Sequence, residues 1–343
     1  MRPGAHPLRF VLIVAVLPAA IVMADRWALR FGAAQRWSVP AIGLLYGLFV
    51  TQVALLGALV GRYVEGWFLR WTLLAWGLVL IDLWVFSLVK LGGYHCYLLM
   101  AYALVSGQFG LLAVWATLGP TPWPWRLPAV VVGSLMLILL GLGLGRWSDL
   151  WVLLLLIQSL AIAFLCVLAR LAGLRLARLD RGGTAQRPST EYRGCQFSIG
   201  HMLFWALAAV PVLVLGPQLK VSDLQFVDLR SWCGLLWIGL CLSVVSLVAV
   251  RTVLGEKRPL AWLAALAVVP PVVGVLLRVT IPRSAPGTRW QYRILDELAE
   301  VEWWWVAWTL LAGWFLAGLL LMFRAGGYRL VRRVGDSAAG GDC

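Results

Sequence analysis

The apolar residues of this chain come in continuous runs long enough to cross a lipid bilayer. No other feature of the sequence constrains the fold as much. Leu8–Ala24, Val39–Gly61, Trp71–Val89, Tyr97–Leu118, Leu127–Gly145 and Leu150–Leu168 precede the longest polar interval. His201–Gly216, Trp232–Val250, Leu260–Leu277 and Trp304–Phe323 follow it. A hydrocarbon core about 30 Å thick needs roughly 20 apolar residues in a helix. Within it every backbone N–H and C=O must find a partner inside the protein, which leaves helical bundles or closed barrels. The runs are unbroken rather than alternating, and this selects helices. Composition agrees, with 62% hydrophobic residues, 13% charged residues and a mean hydropathy of +0.87. A soluble domain is nearer half apolar and a quarter charged.

The expected fold is therefore all-α: a polytopic transmembrane helical bundle of about ten spans, in a 6+4 arrangement around a basic linker. Residues 1–168 form the N-terminal membrane bundle and 169–200 the linker. Residues 201–323 form the C-terminal bundle and 324–343 a tail. Near 289–303, Ile294, Leu295, Leu298 and Val301 can share an apolar face opposite Asp296, Glu297, Glu300 and Glu302. That pattern predicts an amphipathic helix lying along the interface. The first run ends Val22-Met23-Ala24, which is similar to a signal-peptidase site. An uncleaved first span is expected, because so many spans follow it.

Charge sets the orientation. The formal net charge is +14, and the basic residues sit between the runs. Ten spans would put 18 Arg and Lys on one side and 11 on the other, with six of the 18 in the linker. By the positive-inside rule both termini and the linker are cytoplasmic, and a bacterial inner membrane is the expected location. Arg-rich loops at this level meet lipid phosphates, so the expected partner is the bilayer with its anionic headgroups rather than nucleic acid. Thirteen of the 21 Trp fall at expected span ends, as an aromatic belt would have them.

Few polar residues lie inside the runs. Asp82 is central in the third, and a carboxyl there costs roughly 2.5–3.5 kcal/mol for insertion. Eleven Leu, Ile, Val and Phe share that span. At about −0.3 to −0.6 kcal/mol each they outweigh the acid. Asp82 should therefore point into the bundle, with Gln52, Gln108 and Gln158 as candidate partners at similar depth. Pro270-Pro271 removes two backbone donors from the ninth span and predicts a helix break. Pro120, Pro122, Pro124 and Pro128 predict a sharp turn before the fifth. Gly43-x-x-x-Gly47 and Gly57-x-x-x-Gly61 predict close helix packing within the bundle or between copies.

Catalytic and metal-binding patterns do not emerge. His6, His95 and His201 are not at ligand spacing, and the six Cys contain no CxxC pair. HExxH, P-loop and nucleophile-elbow patterns are lacking, and the spans carry no clustered acids. No metal, cofactor or catalytic residue is expected, and an embedded enzyme is disfavoured. The expected role is that of a structural or envelope-associated membrane protein. The alternative is a small-solute or proton-coupled transporter using Asp82 and the Pro270-Pro271 break.

Gln196–Gly216 carries the only recognisable signature. QFSIGHMLFWALAAVPVLVLG resembles the QFS[IL]xxLL…W membrane-entry segment of planctomycete-type polytopic membrane proteins, through Gln196, Phe197, Ser198, Ile199, His201, Leu203 and Trp205. Such proteins often have Arg where Gly200 stands here. The resemblance covers this segment alone. It implies a polytopic membrane protein and no catalytic residues.

Overall fold

The computed structural model describes residues 23–28, 30, 39–64, 67–92, 95–119, 123–142, 149–172, 174–178, 229–255, 259–280 and 304–332. The seventh span, the amphipathic stretch, most of the linker and the first run as far as residue 22 lie outside these residues. A short helical segment covers 23–28. Eight long helices follow: α1 (Val39–Tyr63), α2 (Trp67–Gly92), α3 (His95–Leu118), α4 (Trp123–Leu142), α5 (Asp149–Leu171), α6 (Leu229–Leu254), α7 (Pro259–Thr280) and α8 (Trp304–Ala325). Of these, α1, α3, α5, α6, α7 and α8 contain stretches long and apolar enough to cross a membrane.

The lipid-facing surface is visible in the packing. Leu69, Leu73, Trp76, Leu80 and Leu83 are exposed along α2 at helical spacing, and Leu156, Leu160, Phe164, Val167 and Leu171 repeat the pattern on α5. Val268, Val272, Val275 and Val279 do the same on α7. Apolar stripes of this length in water would drive aggregation, whereas lipid is their natural solvent. The chain is thus an integral membrane protein of helical type.

Two helices form the interior. Residues 99–111 of α3 are all buried, so that helix is surrounded on every side. The second is α8, which packs against α1, α3, α6 and α7. Neighbouring contacts fix the directions. Tyr102 meets Trp304 at one end of the α3–α8 pair, while Trp71 touches both Trp115 and Phe323 at the other. Ala54 and Gly57 lie against Gly318, and Gly61 against Met322. Val245 meets Gly313 while Arg324 reaches Val253. Ser106 pairs with Gln158 and Thr117 with Arg170. Helices α1, α3, α5, α6 and α8 therefore run parallel, with their C-termini on one face. Helices α2, α4 and α7 run the other way: Trp71 meets Trp115 while Asp82 meets Gln108, Arg126 reaches Ala116 while Gly133 lies against Leu112, and Pro270 meets Thr309 while Gly274 lies against Val306.

The structure departs from the expected all-α fold in one place. Leu174–Arg178 (β1) pairs antiparallel with Tyr328–Arg332 (β2). The strands follow α5 and α8, so the start of the linker and the start of the tail are joined on the face that carries the helix C-termini. Leu176 and Leu330 are register partners and both are buried. The chain turns into β2 through Gly327, whose φ of 87° favours glycine. Five residues of alternating Leu and Arg are too short to stand out from a polar linker as a strand.

The prolines also behave differently from expectation. Helix α7 is continuous through Pro270 and Pro271 rather than broken. The Thr309 hydroxyl donates to the Pro270 carbonyl at 2.7 Å, and Gly274 lets the α8 backbone at Val306 come close beside it. Helix α4 begins at Trp123, so Pro124 falls in its first turn, where a missing N–H costs little, and Pro128 lies inside the helix. The expected turn through Trp123–Pro128 is helical.

The two glycine pairs differ. A Cβ on Gly57 would lie 2.6 Å from the Gly318 carbonyl oxygen, and one on Gly61 would strike the Met322 carbonyl. A Cβ on Gly43 or Gly47 would meet nothing within 4 Å. Gly57→Ala and Gly61→Ala should each destabilise the fold by about 1–3 kcal/mol through overpacking. Gly43→Ala and Gly47→Ala should be neutral or slightly stabilising. Denaturant titration in detergent micelles checks the contrast. Cysteines at 176 and 330 should cross-link on oxidation, and a gel shift after proteolysis between β1 and α6 reads this directly.

Candidate functional site

Polar side chains inside the bundle are arranged as separate pairs. Asp82 on α2 is 1% exposed, and the Gln108 amide of α3 donates to its two carboxylate oxygens at 2.9 and 3.0 Å. The Ser106 hydroxyl donates to Gln158 Oε1 at 2.8 Å, and Gln158 Nε2 returns a bond to the Ser106 carbonyl at 3.2 Å. Gln52 of α1 donates through Nε2 to Asp25 Oδ1 in the 23–28 segment. Of the amides at similar depth, the structure brings only Gln108 to Asp82. Gln52 and Gln158 are taken up by Asp25 and Ser106.

The reason lies in helix azimuth. Ser106 and Gln108 are two residues apart on α3, so their side chains point about 200° apart around the helix. One faces α5 and the other faces α2. An amide on α5 and a carboxyl on α2 are therefore held on opposite sides of α3. Sequence depth alone could not separate them.

Further polar contacts escaped the sequence reading. Asp25 sits just past the first run and reads as a loop residue, yet it is buried against Gln52. Thr309 of α8 donates to the Pro270 carbonyl of α7. The arginines form the largest omission. Arg126 Nη1 donates to the Ala116 carbonyl at 2.9 Å and Arg170 Nη1 to the Thr117 carbonyl at 3.2 Å, both at the C-terminus of α3. Arg324 Nη1 donates to the Val253 carbonyl of α6 at 2.6 Å. Arg329 donates to the Arg324 carbonyl at the end of α8, and Arg70 to the Val64 carbonyl beyond α1. The Ala116, Thr117 and Val253 carbonyls lie in last turns, where no intrahelical donor follows, while the Arg324 carbonyl also accepts from the Gly327 N–H. Of these donors, Arg170 and Arg324 carry a sequence signal, as basic residues in last turns. Which carbonyl each arginine would reach was not readable.

Among the described residues no group of three His, Cys, Asp or Glu converges as a metal site would. Cys166, Cys233 and Cys241 are free thiols, the first and last buried. No protein-family model, curated protein or solved structure matches the chain.

Gln108→Leu would leave the Asp82 carboxyl buried with its amide partner gone, and should cost about 1–3 kcal/mol. Asp82→Asn keeps a hydrogen-bonding group of the same shape and should cost less than about 1 kcal/mol. The double variant Asp82→Leu, Gln108→Leu should recover most of the loss, since removing both partners leaves no orphan. Thermal unfolding of the three variants in one detergent decides the ordering.

Proposed function

We propose that this chain is a ten-span inner-membrane protein with linker and tail on the cytoplasmic side, serving a structural or envelope-associated role. The observation that carries the role is the pairing of polar groups inside the bundle. Asp82 is buried against a single amide, and Gln52 and Gln158 are engaged elsewhere. A proton-coupled carrier needs its intramembrane acid to exchange with water and with a second site. It also needs an element with two arrangements. The continuous α7 and the strand pair β1–β2 favour one arrangement.

The span count draws support from helix direction. Because α5 and α6 are parallel, an odd number of crossings between them fits the ten-span count, and the apolar run at 201–216 is our candidate for it. The face that gathers the parallel C-termini carries Arg62, Arg70, Arg126, Arg170, Arg251, Arg324 and Arg329, in keeping with the positive-inside rule. The Gln196–Gly216 signature lies outside the described residues, and the membership it suggests remains part of this proposal.

Proteoliposomes tested with a metabolite panel and a pH gradient should show the same negligible flux for wild type and Asp82→Asn. Uptake or proton flux that depends on Asp82 would replace this reading with the transporter. For orientation, single cysteines at Ser337 and Thr288 in a cysteine-free background should differ in intact cells. The first should resist a membrane-impermeant thiol reagent and the second should react.

A further inference from the structure

Two arginines from different helices meet at one helix end. Arg126 stands in the first turns of α4, ahead of the apolar stretch Pro128–Ile138, and is 6% exposed. Arg170 stands in the last turn of α5 and is exposed. Their Nη1 atoms bond the carbonyls of Ala116 and Thr117, consecutive residues at the end of α3, and Arg170 is near enough for its charge to act on Arg126. The Nε–H of Arg126 is buried without a hydrogen-bond partner. Burial, and then the charge of Arg170, push the Arg126 guanidinium down from its ordinary range. It still remains charged at neutral pH.

Among the described residues the local charge does not balance. A helix C-terminus carries roughly half a negative elementary charge, against two full positive charges here. The described carboxylates are elsewhere: Asp82 is bound to Gln108, Asp25 to Gln52, and Asp149 begins α5 at the end opposite Arg170. Two guanidiniums with this surplus, one buried and one exposed, form a donor set suited to phosphate oxygens. The neighbouring surface adds a second feature. Leu160, Phe164, Val167, Leu168 and Leu171 make an exposed apolar strip along α5 that runs to Arg170. An acyl chain lying on that strip would bring its headgroup to the arginines.

We propose that Arg126 and Arg170 together bind one phosphate anion at the level of the headgroups, and the strip on α5 favours a phosphate carried by a lipid. This site is independent of the scaffold or transporter question. It differs from diffuse attraction of a basic face to the membrane, because it assigns binding to one pair of residues.

The full chain, purified and delipidated in a neutral detergent, can be titrated with phosphatidylglycerol and, separately, with inorganic phosphate, using native mass spectrometry. Wild type should hold one phosphatidylglycerol, with affinity falling about fivefold in Arg170→Gln. Arg251→Gln removes an exposed arginine from the same face and should leave binding unchanged. Phosphatidylglycerol binding that resists excess inorganic phosphate identifies the lipid as occupant. Binding of inorganic phosphate to wild type that Arg170→Gln weakens identifies the free anion instead, and also supports the site. Equal binding by wild type and Arg170→Gln, or an equal loss in Arg251→Gln, overturns the proposal. Unchanged thermal unfolding of Arg170→Gln separates lost binding from lost fold.

Discussion

Hydrocarbon offers no hydrogen bonds, so a membrane bundle must satisfy its polar groups from within. This protein does so at two levels. At mid-depth, side chains pair across helices, as Gln108 does with Asp82 and Ser106 with Gln158. At the face where the parallel helices end, arginines reach across to the last carbonyls of their neighbours. The guanidinium suits this work. It stays charged, offers several donors in a fixed fork and has a long stem that can span two helices. The excess of Arg in the sequence thus acquires a structural use for at least these residues.

Parallel packing of α1, α3, α5, α6 and α8 concentrates that need. Aligned helix dipoles would place several partial negative charges on one face. Arginine supplies compensation at the same positions that it occupies for orientation under the positive-inside rule. One residue type therefore meets two requirements. The aromatic contacts among Trp71, Trp115, Phe323 and Tyr328 and the β1–β2 pair close the same face. Close approach of α1 to α8 depends on Ala54, Gly57 and Gly318, where a larger side chain would hold the backbones apart. Gly43 and Gly47 share the sequence pattern but not the contact.

The interior pairs bear on function through what they do not leave free. An acid held by one amide inside a bundle is a common way to stabilise a polar core. The Arg126–Arg170 pair is different, because its surplus charge is not met by the described carboxylates.

Much of this architecture was legible in the amino-acid order. Eight of the expected apolar runs coincide with helices whose ends differ from expectation by a few residues, and six of these helices are long and apolar enough to cross a membrane, because continuous apolar length leaves lipid-embedded backbone no alternative to helix. The inward burial of Asp82 was also legible, from the cost of exposing a carboxyl to lipid. Its partner was not, since choosing among Gln52, Gln108 and Gln158 requires the rotation of each helix about its axis. Strands β1 and β2 were hidden because pairing joins segments about 150 residues apart that are too short to show a period. That α7 continues through Pro270-Pro271, with Thr309 of α8 bonded to the Pro270 carbonyl, was likewise not readable from the sequence. Sequence alone determined that the chain is a helical membrane protein and where its long helices run among the described residues. Tertiary structure decided which polar groups meet and which arginine caps which helix, because those choices depend on neighbours brought together only by packing.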